Sequence, residues 1–371
     1  MLKLPKNMKE SDLEPHFEVM IRDLFLRVPF LSLGSIRSDE ILLPNRPYRP
    51  DWLAEVRTGD RRWTLVLEGK RSGQPRIIRN AVLQLESYLS HLPQDKRCYG
   101  VLLVPFISEK SARICTEAGM GYADLAGNAH LSFDQVFIEI RTAQNPFREK
   151  RELRSLFTPK AGRVLGVLLT PPLRAWKVEE LAKETGVSLG HVSNVRRRLL
   201  DREWARADDA GLRLTKPEEL ARSWQDAYES RARKRKKYYT VLHGEEMERA
   251  LRAALAEAGA GEHAVLSSFS AARWIAPYAR QATHFFYADA VGEEVLRQHL
   301  QLSPTTQGEN VVVEEPRETD VFERRIEPVS GIWCTGLVHT WLDLNATGER
   351  GREAAEHLLK HKLLTVWKEI A

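Results

Sequence analysis

Between Arg49 and Tyr88 three groups, Pro50-Asp51, Glu68-Gly69-Lys70 and Gln84-Leu85-Glu86-Ser87-Tyr88, follow one another at a spacing suited to metal-assisted hydrolysis of a phosphodiester. Asp51 opens one β-rich run and Glu68 ends the next, so a hairpin would set the two carboxylates side by side on neighbouring strands. Two like charges that close repel each other, and a divalent cation relieves the repulsion. Two carboxylates, with waters and phosphate oxygens completing the shell, commonly hold Mg²⁺, or Mn²⁺ in its place. Glu68 and Lys70, two apart on a strand, share a face, so an ammonium would stand near the metal to orient or deprotonate a water. Gln84 and Tyr88, four apart on the helix that follows, are candidates for orienting a phosphate. Glu18 is a candidate third carboxylate for the metal, with Glu14 competing for that part.

A second set of residues suits duplex DNA. Val178 to Thr185, then Gly186-Val187-Ser188, has the pattern of a helix and a tight turn, with Ser188 placed to cap the next helix. In that helix Val192, Val195 and Leu199 form a buried stripe, while Gly190, His191, Asn194, Arg197 and Arg198 share the opposite face. Asn pairs bidentately with adenine and Arg with guanine in a major groove, and Gly190 permits close approach. Two short strands around Asp208-Asp209-Ala210-Gly211 would carry Arg206 and Arg213 toward phosphates. The run from Arg231 to Lys237, with Arg233, Lys234, Arg235 and Lys236 inside it, is a candidate phosphate contact or a solvated helix extension.

These residues need elements to position them. At 371 residues, two or three domains are expected. The first, 8–146, begins with Phe17, Ile21, Leu24 and Phe25 at helical spacing after the candidate cap Ser11. It continues with strands at Asp51 to Val56, Trp63 to Leu67, Tyr99 to Val104 and Val136 to Ile140, and a crossing helix carrying Ile77, Ala81, Leu85, Tyr88 and Leu89. That order is an α/β sheet domain. A boundary is expected near Asn145-Pro146. Then come a winged helix-turn-helix over 157–225, a basic linker over 226–239, and a mixed α/β domain over 240–371. The whole is a multidomain α/β and α+β chain.

Composition narrows the classes. Hydrophobic residues are 43% and charged residues 29%, a globular balance that excludes a disordered tail. The net charge of +5 matters where it clusters. Cys98, Cys115 and Cys334 show no Cys-x-x-Cys spacing, which argues against a disulfide framework or a zinc site and suits a reducing cytosol. No apolar run reaches membrane-spanning length, so a cytoplasmic location is expected. His284, His339 and Asp343 are weighed as metal ligands, with ordinary surface or core roles favoured.

The Arg49 to Tyr88 segment resembles the PD-(D/E)XK nuclease superfamily, in its RecB-like branch with the added Gln-x-x-x-Tyr element. The resemblance implies a restriction-endonuclease-like fold, a Mg²⁺-dependent phosphodiesterase and catalytic roles for Asp51, Glu68, Lys70, Gln84 and Tyr88. It departs at Gly69, where the family usually carries an apolar residue. Gly121-Tyr122-Ala123-Asp124-Leu125-Ala126-Gly127-Asn128-Ala129, the winged-helix pattern, Trp341-Leu342-Asp343-Leu344 and Gly348 to Ala355 together resemble AbiEi antitoxins of type IV toxin–antitoxin systems. That likeness implies a DNA-binding autorepressor with a C-terminal interaction domain and a toxin as partner. Asp124 and Asn128 serve either the nuclease cleft or a tight turn, the turn being favoured.

The leading expectation is a DNA-cutting protein in a defence or mobile-element setting, acting on double-stranded DNA. The alternative is an antitoxin-type regulator that binds its operator without cutting. An RNA nuclease is disfavoured, because the major groove of RNA is too deep and narrow for such a helix. A homodimer is a further expectation.

Overall fold

The computed structural model describes residues 13–38, 43, 48–93, 95–142, 156–170, 173–228, 232–259, 261–278 and 281–368, with backbone alone at 232, 233 and 368. The expected cap Ser11 and the boundary at Asn145-Pro146 lie outside these residues. Two compact units result, Met1–Glu152 with Leu200–Glu203, and Leu153–Leu199 with Trp204–Ala371.

The first unit is built on a seven-stranded sheet whose strands lie in chain order. They are β1 (Leu31–Arg37), β2 (Trp52–Thr58), β3 (Arg61–Gly69), β4 (Cys98–Val104), β5 (Gly121–Asp124), β6 (Ala129–Phe133) and β7 (Val136–Ile140). The β3/β4 and β4/β5 pairs are parallel and the others antiparallel. A parallel pair requires a crossover. Helix α2 (Pro75–Leu89) makes the first one and α3 (Glu109–Glu117) the second. The expected hairpin and crossing helix are therefore present, and β1, β5 and β6 are additions to the four expected strands.

Side chains on a strand alternate between faces, so β3 feeds two cores. Leu65 and Leu67 pack with Phe17, Ile21, Leu24 and Phe25 of helix α1 (Glu14–Leu26). Val66 packs on the other side with Ile78, Ala81, Val82, Leu85 and Tyr88 of α2. Glu68 has the parity of Val66, and Asp51 that of Leu53, a member of the same second core. Both carboxylates thus belong to the α2 face of the sheet, while α1 covers the opposite face.

In the second unit, helices α4 (Pro159–Leu169), α5 (Val178–Thr185) and α6 (Leu189–Asp201) precede a two-stranded ribbon, β8 (Ala205–Asp208) and β9 (Gly211–Leu214). Gly186 ends α5 at φ +62°, a left-handed conformation that costs a glycine little. Backbone bonds between Trp176 and Leu212, 2.9 and 2.8 Å, tie the segment before α5 to the ribbon. A second seven-stranded sheet follows α7 (Pro217–Asp226). Its strands are β10 (Ala232–Tyr239), β11 (Ala264–Leu266), β12 (His284–Ala288), β13 (Ser303–Pro304), β14 (Val311–Pro316), β15 (Ile326–Val329) and β16 (Ile332–Cys334), in the order β13-β10-β14-β12-β11-β16-β15.

The helices and this sheet pack as one body. Trp367 Nε1 donates to the Leu169 carbonyl at 3.1 Å, and Arg163 pairs with Glu323 at 3.2 Å. Trp224 stacks with Phe157 and sits edge-on to His339.

The expectation of a basic linker over 226–239 requires correction. Ala232–Tyr239 is a strand, paired antiparallel with β14 and, at Tyr238 and Tyr239, with β13. Alternation explains how so charged a run forms one. Lys236 reaches Glu293 at 2.6 Å, while Arg235 lies 3.5 Å from Glu314 and Lys237 2.6 Å from Glu309. Acidic neighbours absorb the charge that suggested a solvated tether.

Candidate functional site

On the α2 face, Asp51 and Glu68 stand at the ends of β2 and β3. The register pairs Trp52 with Leu67, so the next step sets Asp51 opposite Glu68. Asp51 Oδ2 accepts the Gly69 amide at 2.7 Å. Glu68 is 3% exposed. Its Oε1 accepts from the Lys70 ammonium, and its Oε2 accepts from the Tyr48 hydroxyl at 2.6 Å. Burial and the nearby Asp51 carboxylate push the Glu68 pKa up, while the Lys70 and Tyr48 hydrogen bonds pull it down. Burial and the adjoining Glu68 keep the Tyr48 phenol protonated well above its ordinary range.

The structure therefore brings Asp51, Glu68 and Lys70 together. Tyr48 belongs to the same cluster, and sequence reading missed it. A tyrosine beside Arg49-Pro50-Asp51 has no spacing that marks it, because its partner lies twenty residues away.

The other expected members are placed differently. Glu18 is on α1, across the sheet from Asp51 and Glu68, and forms an i,i+4 ion pair with Arg22 at 2.7 Å. It is not a third carboxylate of the cluster, and Glu14 is likewise exposed on α1. Gln84 is exposed, whereas Tyr88, one helical turn on, is buried. On an amphipathic helix the sheet-facing positions 78, 81, 82, 85 and 88 leave 84 outward. The Tyr88 ring packs edge-on against Tyr48, centroids 5.8 Å apart.

Gly69 has a local cause. A Cβ there would come within 3.0 Å of the Trp52 ring and 3.2 Å of Phe17, so aromatic packing fills the space an apolar side chain would need. Among the described residues no group of three His, Cys, Asp or Glu is arranged to hold a metal. The donor set is the Asp51 and Glu68 pair, two neighbouring carboxylates whose mutual repulsion a hard dication would relieve. Each Glu68 oxygen also retains acceptor capacity beyond its one hydrogen bond. The pair fits Mg²⁺ or Mn²⁺, with most of the shell left to water or phosphate.

Asp124 and Asn128 resolve as a turn. The buried Asp124 carboxylate accepts from the amides of Ile107, Ala126 and Asn128 and from Asn128 Nδ2, at 2.8 to 2.9 Å. Asn128 Oδ1 accepts the Thr142 amide at 2.6 Å.

In the second unit, α6 buries Val192, Val195 and Leu199 and exposes Ser188, Leu189, Gly190, Ser193, Asn194 and Arg197 beside it. Nothing lies within 4 Å of a Cβ built on Gly190. Arg197 donates to Asn194 Oδ1 at 3.1 Å, which arrays the two groups on one face. His191 and Arg198 are partly buried at its margins. On the ribbon, Arg206 is paired directly opposite Arg213, and the turn between them carries exposed Asp208 and Asp209.

Of the candidate phosphate contacts on β10, Lys234, Arg235 and Lys236 are exposed, with Arg235 and Lys236 engaged by glutamates as above. The side chain of Arg233, and Arg231 altogether, lie outside the described residues. The histidines weighed as ligands have other surroundings. His339 lies 3.6 Å from buried Asp320, and Asp343 accepts from the Tyr228 hydroxyl at 2.5 Å and the Tyr287 hydroxyl at 3.1 Å.

A family model described as a transcriptional regulator, AbiEi antitoxin of a type IV toxin–antitoxin system, matches residues 213–364. That span begins within β9 and takes in the second sheet and its helices. No curated protein and no solved structure matches the chain. Among the described residues no helix is long and apolar enough to cross a membrane.

Proposed function

We propose that the chain is a DNA-binding transcriptional regulator of the type IV antitoxin class, in which α4 to α6 and the β8/β9 ribbon act as a winged helix. The observation that carries this reading is the outward face of α6. Gly190, Asn194 and Arg197 stand exposed beside a stripe that anchors the helix, directly before the span matched by the antitoxin family. A helix docked by its N-terminal half would present Asn194 and Arg197 to base edges, and Ser188 with Arg206 and Arg213 to phosphates. The β10 to β16 sheet would serve a protein partner, a toxin in the family's terms. Binding of the full chain to the DNA upstream of its own coding sequence, followed by footprinting in the presence of a chelator, tests this. A protected site that needs no metal supports it, and uniform binding to any duplex contradicts it.

A second activity is favoured by the convergence of Asp51, Glu68 and Lys70 on one sheet face, and we propose phosphodiester hydrolysis as that activity of the first unit. Asp51 and Glu68 would hold Mg²⁺ or Mn²⁺, which when bound supplies a polarised water and charge stabilisation at phosphorus. Lys70, in contact with Glu68, would orient that water and offset charge developing on the phosphate. Asp51 also fixes the end of β3 through the Gly69 amide. Linear, circular and single-stranded DNA, incubated with Mg²⁺ or with chelator, provide the test.

A further inference from the structure

The Tyr88 of the Gln-x-x-x-Tyr pattern is buried, and its ring touches the cluster. Its ring is 4% exposed and meets Tyr48 edge-on with centroids 5.8 Å apart and an interplanar angle of 77°. Tyr48 in turn gives its hydroxyl to Glu68 Oε2 at 2.6 Å. Lys70 takes the other oxygen. The carboxylate is thus held at both oxygens, one by the lysine just past the end of its own strand and one by a residue twenty positions earlier in the chain.

We propose that Tyr88 and Tyr48 form a positioning relay, in which Tyr88 braces the Tyr48 ring and the Tyr48 hydroxyl fixes the orientation of Glu68 toward a divalent cation shared with Asp51. The inference rests on the phosphodiesterase reading of the first unit and names two positioning residues for it. The physical reasons are direct. A glutamate has three rotatable bonds, and a buried carboxylate aimed at a metal must not spend that freedom at the moment of binding. A phenol fixed by an aromatic neighbour donates in one direction only, and an edge-on ring contact of this kind restricts the phenol's swing. Groups that hydrogen-bond a metal ligand set its orientation in the same way. Gln84, one helical turn before Tyr88, has no part in the relay because it faces outward.

Mn²⁺ titration of the full chain, followed by electron paramagnetic resonance, reads the relay without any turnover. Tyr48→Phe keeps the ring and removes the donor, and is expected to weaken Mn²⁺ binding about tenfold. Tyr88→Leu keeps the core filled while removing the ring edge. It is expected to weaken binding by a smaller factor, and to cost nothing more once Tyr48→Phe is present. Unchanged or tighter Mn²⁺ binding by Tyr48→Phe overturns the proposal, as does a Tyr88→Leu loss that persists in full beside Tyr48→Phe. Absence of Mn²⁺ binding by the unaltered protein would instead remove the phosphodiesterase reading. The contact relay is then decided by metal-free thermal unfolding of Tyr48→Phe, Glu68→Gln and their combination. Losses in Tm that fail to add, and that become additive when Tyr88→Leu is introduced, support the relay; additivity in both backgrounds overturns it.

Discussion

Arg206 and Arg213 face each other across the β8/β9 ribbon, a directly opposed pair of like charges on a single antiparallel ladder. Such a pair destabilises a ribbon by a few tenths of a kcal/mol to about 1 kcal/mol unless an anion lies between or beside the two. A phosphate backbone along the ribbon would supply that anion. Arg206→Ala and Arg213→Ala should each raise the Kd for operator and for unrelated DNA by similar factors and reduce the salt slope by about one. Equilibrium binding over a range of salt concentrations checks this.

Asn194 and Arg197 should behave otherwise. Replacing either with Ala is expected to cost about 1–3 kcal/mol on the specific site while leaving binding to unrelated duplex almost unchanged. Competition titrations against scrambled DNA separate the two effects.

The strand β10 yields a contrast with the linker expected from its composition. Lys236 pairs with Glu293, whose side chain is 16% exposed, and Tyr238 donates to the same carboxylate. Lys236→Ala should therefore lower the Tm of the second unit by a few degrees, about 1 kcal/mol, with the salt slope of DNA binding unchanged. Scanning calorimetry and the same salt titration measure both.

Short β-rich runs in the sequence mark β2, β3, β4 and β7, and a helical period marks α2; β3 and β4 are buried on both faces and so read as continuous apolar runs, whereas α2 buries one face. The pairing of Asp51 with Glu68 follows from hairpin order, and the exposure of Gly190, Asn194 and Arg197 follows from the Val192, Val195 and Leu199 stripe, whereas His191 and Arg198, at the margins of that face, are partly buried. The placement of Glu18 is not readable from the sequence, because its position beside Phe17 says nothing about which side of the sheet α1 covers. Tyr48 was invisible because its role depends on a contact with no sequence period. The Arg231 to Lys237 run looked like a tether because the glutamates that neutralise it, Glu293, Glu309 and Glu314, come more than fifty residues later.

His284 gives a pH dependence. Burial, with the nearby Arg273 charge, lowers its pKa to about 4 from an ordinary 6.5. The folded chain thus holds a neutral imidazole where the unfolded chain takes up a proton. Stability should fall as pH drops from about 6.5 toward 4 and level off below, by an amount of order 1–3 kcal/mol after allowance for partial solvent screening. In His284→Gln this part of the decline should vanish. Urea unfolding at pH 4.5 and pH 7 compares the two proteins.

For the first unit, Asp51→Ala or Lys70→Ala should abolish Mg²⁺-dependent cleavage of DNA and leave DNA affinity largely intact. Gel assays of cleavage beside binding curves for the same preparations decide the point, and equal cleavage by the variants would remove the proposed roles.

Sequence-selective DNA binding through the outward face of α6 is measured by footprinting the full chain on its own upstream DNA in the presence of a chelator. A protected site is expected, whose protection needs higher protein concentration in Asn194→Ala and Arg197→Ala, by a factor matching about 1–3 kcal/mol each, without loss of fold. A site equally protected by both variants, or no selective protection at all, would contradict it.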